Sequence, residues 1–414
     1  MKEARSQKPE AGSLRRGFNS SGYWLLASGV LLLCGYIVGC GEDTQPSSCV
    51  KQLRGALASA EIQTPQDWPS FRGDPQLSGV VTGKLPEKLE QLWKADLKGG
   101  IESTAAIVGD RVYVGTRKDR LVALKLDNGE PVWEFKTKDS VTAAPCVVGG
   151  RVFIGDESGM FYAIDAEKGT ELWQFEAKDK ILASAVVVGD SVLVGSYDRS
   201  LHCLDVASGE EKWRFLADAQ VHGSPSVAVL EDGMVAVIAG CDRRVRAVDI
   251  KTGKERSDAS ADDACSASPA VRGGNAYVGN LKGDFLSINL KTGEHNWKAD
   301  GEEMETGSIS ASAAVTEDAV FVGTQDNKMI RFDRKTGNID WTFTARGSIE
   351  SSAVVVDGRV YFGASDGAVY AVDAAKGEQV WKFVVGGSVK ASPAVGQGRL
   401  VIGTSQGALY CFGK

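Results

Sequence analysis

Side chains able to do chemistry are sparse in this 414-residue chain and spread along its length. Its three histidines are His202, His222 and His295. Zinc coordination or a nucleophile–base–acid triad requires such side chains to converge with carboxylates or thiols. Their spacing predicts no convergence, so each reads as a surface histidine or one satisfied within a strand. The eight cysteines include no adjacent pair and no Cys-x-x-Cys-His run for haem attachment. Cys40 has the most distinctive surroundings, and the chemistry they suggest is acylation.

A basic, polar start leads into an apolar run from Tyr23 to Val38, which ends in Ile37-Val38-Gly39-Cys40. The run is short for a membrane span of roughly 20 residues and reads as a secretory signal. Its end resembles the bacterial lipobox, in which small residues precede a cysteine that is lipidated and becomes the mature N-terminus. On that reading residues 1–39 are a lipoprotein signal peptide, Cys40 carries the acyl chains, and residues 40–64 are the lipidated N-terminus and a flexible tether. A short helical pattern from Val50 to Ile62 is its only periodic feature. Gly41, rather than aspartate, follows the cysteine, which under the usual sorting pattern points to the outer membrane, facing the periplasm. An uncleaved signal anchor is the alternative, and either places the body outside the cytoplasm.

Residues 1–39 carry five basic groups against Glu3 and Glu10, so the remainder of a chain of net charge −7 stands near −10. Nucleic-acid binding relies on a Lys/Arg-rich surface, and no nucleic-acid partner is expected of so acidic a body.

A repeat must position whatever the body presents. Trp93, Trp133, Trp173 and Trp213 are each 40 residues apart, and Trp297, Trp341 and Trp381 resume the series after a gap at Ser257. Residues 349–381 show one unit: a β-branched run ending in Asp357-Gly358, then Arg359–Gly363, Ala368–Asp373 and Glu378–Phe383. Four short strands with tight turns leave no room for helices and predict an antiparallel meander. First strands are expected near Ile101, Val141, Ile181, Val221, Cys265, Ile309, Ile349 and Val389. An aspartate such as Asp165 or Asp373 precedes by four a glycine such as Gly169 or Gly377, as a turn needing positive φ requires. The tryptophan four residues later is expected to pack its plate against the neighbouring unit.

The chain ends after a third strand, at Leu409–Lys414, while Gln91-Leu92-Trp93-Lys94 is a fourth strand with no unit before it. Pairing the two removes an exposed edge. The expected fold is therefore all-β: an eight-bladed β-propeller of four-stranded antiparallel blades over residues 89–414, closed by an N-terminal strand completing the last blade. Residues 65–88 form a lead-in, and an open solenoid is the alternative.

The unit, small-Ser-Pro-Ala-Val, a hairpin, Gly-x-x-Asp-Gly-x-Leu-Tyr-Ala-x-Asp and Gly-Glu-x-x-Trp, resembles the quinoprotein-type, PQQ-like propeller repeat with its tryptophan-docking motif. Trp68-Pro-Ser-Phe-Arg-Gly73 is similar to the lead-in of many such proteins. WD-repeat propellers are the nearest rival, but no Trp-Asp dipeptide ends a third strand here. The resemblance leaves two functions open. Quinoprotein dehydrogenases hold pyrroloquinoline quinone (PQQ) and Ca²⁺ at the propeller centre, with a catalytic aspartate, an adjacent-cysteine disulfide and large insertions; this chain lacks the cysteine pair and has short connections. The second branch, lipidated and non-catalytic, is similar to BamB of the outer-membrane β-barrel assembly machinery. The latter implies a monomeric periplasmic scaffold with protein partners and no cofactor. A PQQ-dependent dehydrogenase or another small-ligand-binding propeller is the alternative.

Alternating strand direction gathers the second-to-third-strand turns and the blade-to-blade loops on one face. Arg117, Arg120, Arg199, Arg243, Arg244 and Asp326 lie there and form the candidate docking surface; the same face holds the acidic loops Ser257–Asp263 and Glu302–Glu305, which flank the blade after the missing tryptophan. Glu102, Thr142, Leu182, His222, Ser266, Ser310, Glu350 and Lys390 share one position and should ring a solvated channel mouth. Cys203 and Cys411 fill a small third-strand slot and are expected to be buried free thiols.

Overall fold

The computed structural model describes residues 67–414, which form eight antiparallel blades. Blade one shows the pattern, with strands Ala106–Val108, Arg111–Thr116, Arg120–Lys125 and Pro131–Lys136 running from the axis outward. Glu90–Asp96 pairs with Ala408–Gly413, so the first long strand supplies the outer edge of blade eight and closes the ring. Seven sheets have four strands; that of blade seven has five, because Val80–Val81 adds in parallel to Val354–Val356.

The inner strands begin later than the β-branched runs suggest, at Ala106, Cys146, Val186, Ser226, Ala270, Ala314, Val354 and Ala394. The aliphatics expected to start them serve the blade-to-blade seams instead. Val141 and Ile101 are fully buried, each against a second-strand glycine of the preceding blade. A Cβ at Gly115 would lie 2.3 Å from Val141, and one at Gly403 would lie 2.2 Å from Ile101. In blade four Ala239 replaces that glycine and Cys265 replaces the branched partner, both within one core cluster. The larger residue is matched by a smaller one, conserving volume.

Each tryptophan links its blade to the next. The indole N–H groups of Trp93, Trp133, Trp173, Trp213, Trp297, Trp341 and Trp381 donate to Leu126, Ala166, Val206, Ile250, Arg334, Ala374 and Leu89 carbonyls at 2.8–3.2 Å. Each of the first six rings lies against a turn glycine. Gly129 has φ 73°, and a Cβ there would fall 2.6 Å from the Trp93 ring. The aspartate before the turn does the expected bonding: Asp165 Oδ1 accepts the N–H groups of Glu167 and Lys168 at 3.0 and 2.8 Å.

The expected acidic loop Ser257–Asp263 is a strand in its first half. Glu255–Ser260 is the outer strand of blade four, with Ala247 opposite Ser257 and Arg244 opposite Ser260. Backbone pairing to the third strand carries the ladder on without the tryptophan.

Candidate functional site

The lead-in lies inside the ring. Innermost strands of a propeller present a row of unpaired backbone groups to the axial channel, which must find partners. Trp68 and Ile107 exchange two bonds, at 2.7 and 2.8 Å; Val147 N–H then donates to Pro69, and Val227, Val271, Val315 and Val355 donate to Pro75, Gln76, Ser78 and Gly79, at 2.7–2.9 Å. Successive lead-in residues thus meet blades one, two, four, five, six and seven in turn. Asp67 Oδ1 accepts from Gln397 of blade eight at 2.7 Å, and Leu77 is buried among Val186, Val188 and Val227. Residues 67–81 form a collar around the channel wall, and Arg72, with no exposed surface, stands inside it. The Trp-Pro-Ser-Phe-Arg-Gly motif marked this segment in the sequence; its path around eight separate blades had no local signal.

The opposite, loop-bearing face holds the candidate docking residues, and most are neutralised by near neighbours. Arg117 lies 3.2 Å from Glu102 and 3.6 Å from Glu157. Arg120 and Arg244 begin third strands rather than sitting in turns; Arg120 pairs with Glu134 at 2.8 Å, and Arg244 pairs with Asp258. Their backbones continue the ladder, so their side chains lie along the blade. Asp326 pairs with Lys328 at 3.1 Å and accepts the Gly307 N–H at 3.0 Å. Burial raises its pKa, but Thr324, Gly307 and Lys328 outweigh this and hold the carboxyl below its ordinary value.

Arg199 and Arg243 differ from the rest. They hold the same turn position in adjacent blades three and four, with φ 72° and 63°, where blades two, five, seven and eight use glycine. Arg199 is exposed and makes no ion pair among the described residues, while Arg243 is 67% exposed and 3.7 Å from Asp263. A left-handed backbone disfavours a long side chain, yet both positions carry one; Lys118, in the corresponding turn of blade one, is likewise exposed and makes no ion pair among the described residues.

At the channel mouth, Lys390 pairs with Glu350 at 3.2 Å, and the His222 Nδ1 and Tyr197 hydroxyl meet at 2.5 Å. Burial lowers the His222 pKa below 6.5. His202, 1% exposed, lies between Glu211 (2.7 Å) and Asp198 (3.1 Å), whereas His295 Nε2 donates to the Ser260 carbonyl at 2.7 Å. Each histidine therefore has its own partners. Cys146, Cys203, Cys265 and Cys411 are buried free thiols and Cys241 is an exposed one. Burial pushes the thiols of Cys146, Cys265 and Cys411 up to about 12, far from a nucleophile's range.

Among the described residues no three His, Cys, Asp or Glu side chains converge as metal ligands would. The collar lines the channel wall at the hairpin end of the inner strands, and the sequence has no adjacent cysteines.

Tryptophan-docked blades, closure by an N-terminal strand and short connections define an eight-bladed PQQ-like β-propeller. The chain belongs to the family described as "Outer membrane protein assembly factor BamB", whose model matches residues 79–186, 162–308 and 295–413. It is similar in structure to BamB from Moraxella catarrhalis, with 20% identity and a TM-score of 0.66 over 79% of this chain and 100% of that one. It is also similar to a europium-containing methanol dehydrogenase (15%, TM-score 0.71, 87% of this chain and 100% of that one). A third likeness is to quinohemoprotein alcohol dehydrogenase from Comamonas testosteroni (13%, 0.72, 89% and 84%). At such identities these likenesses speak for the fold alone. No curated protein matches the chain.

Proposed function

We propose that this protein is a non-catalytic periplasmic scaffold, anchored to the outer membrane through lipid on Cys40, that serves outer-membrane β-barrel protein assembly. Cys40 and the tether lie outside the described residues; the lipobox supports this part of the reading. The observation that carries the scaffold role is the collar. It lines the inner wall of the ring, each described histidine has its own partners, and recognition is assigned to the loop face, which the blades hold rigidly. Arg199 and Arg243 on that face suit an acidic patch of a protein partner.

Crosslinking in intact membranes followed by partner identification tests this. The wild type should capture an assembly component, and the double reversal Arg199→Glu/Arg243→Glu should cut the yield by about tenfold or more with the fold intact. A protein that stays alone after crosslinking overturns the reading, and so does oxidation of alcohols on loading with PQQ and Ca²⁺.

A further inference from the structure

A β-bulge recurs near the start of every outer strand, at the residue before the tryptophan or, in blade four, before Ser257. In blade eight Gln91 and Trp93 pair with Phe412 and Cys411, which leaves Leu92 between them outside the ladder. The same break in register leaves out Val132, Leu172 and Val380 in blades one, two and seven. In blades three to six it leaves out Lys212, Arg256, Asn296 and Asp340. A bulge re-aims the side chain it carries, here onto the outer rim. One half of the rim is therefore aliphatic and the other polar, in unbroken runs of four blades.

The aliphatic four are 37–47% exposed, and Ile339, 44% exposed and one residue before the bulge of blade six, extends their arc. Five of the eight large exposed aliphatic side chains among the described residues thus share one stretch of rim. The other three, Leu216, Leu281 and Val384, lie toward the loop face. A contiguous set of this kind marks a contact surface. A further β-strand is a poor occupant, because a bulge takes the edge out of register for strand addition.

The start of the described chain says what lies opposite the arc. Third-to-fourth-strand turns bond the first-to-second-strand hairpins, as Leu126 N–H does to Asp110 at 2.8 Å and Ala374 N–H to Gly358 at 2.9 Å. The bulges follow those turns closely, Val132 three residues after Gly129, so the arc lies at the hairpin end. Asp67 lies at that end too, in the middle of the arc: its Oδ1 accepts from Gly109 of blade one at 3.0 Å and from Gln397 of blade eight at 2.7 Å. On the tether reading, a flexible coil of this length reaches roughly 25–30 Å from there back to Cys40. Lipid on Cys40 then holds this sector of the ring toward the membrane. Exposed charges nearby are of both signs, Lys84, Lys88 and Lys376 against Glu87, Glu90 and Glu378, so no single-sign field opposes a phospholipid surface.

We propose that the arc leans on the phospholipid surface to which the tether leads, with Leu92, Val132, Leu172 and Val380 entering the boundary between headgroups and acyl chains. The proposal rests on the anchor at Cys40. Four half-exposed aliphatics are too few to hold the body alone; they act at the high local concentration that the tether imposes. Blades three and four lie across the ring from the arc, which keeps Arg199 and Arg243 clear of the lipid.

The experiment uses the acylated mature protein on vesicles of phosphatidylethanolamine and phosphatidylglycerol that contain a phospholipid with a photoactivatable acyl chain. Flotation reports the anchor, and mass spectrometry of labelled peptides reports the arc. Label in Glu90–Asp96, Pro131–Lys136, Glu171–Glu176 and Gln379–Val384 should exceed that in Glu211–Leu216, Glu255–Ser260 and His295–Ala299 by about tenfold or more. Leu92→Ser/Val132→Ser/Leu172→Ser/Val380→Ser should abolish the excess while flotation and the thermal midpoint stay unchanged. A protein that does not float overturns the anchor and this proposal with it. One that floats with equal label in the two sets overturns the arc alone and leaves it to a protein partner. A floating, folded serine variant that keeps the excess overturns the arc as well.

Discussion

The hydroxyl of Ser257 donates to the Leu290 carbonyl at 2.5 Å, making the contact that an indole N–H makes in the seven tryptophan-bearing blades. The ring thus loses the aromatic plate between blades four and five while keeping its hydrogen bond. The gap closes by approach of backbone: a Cβ at Gly293 would lie 2.5 Å from the Asp258 carbonyl, where its counterparts face an indole. Ion pairs gather in these two blades, with Arg246 between Asp218, Asp242 and Glu255, and Lys298 between Asp262, Asp284 and Asp300.

Two truncations should separate plate from hydrogen bond. Trp93→Ala removes a side chain only 7% exposed, and should cost roughly 3–5 kcal/mol. Ser257→Ala removes one hydrogen bond and should cost about 1 kcal/mol. Urea unfolding of both variants checks the contrast; equal losses would mean that the plate adds nothing beyond its N–H.

The collar depends on Gly79, whose φ is 64° and whose Cβ position is filled by Arg72. Gly79→Ala should cost at least about 1–3 kcal/mol through strain and overpacking. Hydrogen exchange should quicken first at Val315 and Val355, whose N–H groups donate to Ser78 and Gly79. Unchanged protection there would show that the collar does not guard the channel edge.

Acid should loosen the ionic seam. Burial raises Asp249 and Asp284, but hydrogen bonds from Thr252 and Arg256, and from Gly301, Asn280 and Lys298, outweigh it. Lys298 leads the groups lowering Asp262, so all three lie below the ordinary aspartate value of 3.8. A depressed carboxylate contributes stability that is complete above its unfolded pKa and lost as pH falls through the folded one. Asp74 has the opposite sign, because burial raises its pKa. Stability should therefore hold above about pH 5 and drop as pH falls through and below the ordinary aspartate range. Asp74→Asn should steepen that drop. Urea midpoints between neutral and acid pH measure both effects.

Cys40→Ser tests the anchor. If acyl chains on Cys40 hold the body, the variant should move from the membrane to the soluble fraction of the envelope, since acylation supplies most of the binding. Retention in the membrane would favour the uncleaved signal anchor.

Blade number, strand order and closure were legible in the sequence because each is written locally and repeated. A glycine turn and a tryptophan recur at fixed spacing, and the spare strand at Trp93 matches the missing one after Cys411. One contact between blades was legible in part: Ser184, Ser224, Ser268, Ser312, Ser352 and Ser392 recur at 40 or 44 residues, yet each Oγ accepts an N–H of the preceding blade's inner strand, at 2.8–3.0 Å, only once the blades stand side by side. Strand starts were misplaced because a buried branched residue such as Ile101 looks the same whether it pairs in a ladder or fills the space above Gly403. The tertiary structure alone decided the collar's path and the burial of Arg72. Those depend on meeting strands from blades more than 200 residues apart, and no local pattern encodes a contact such as Arg72 with Ala313.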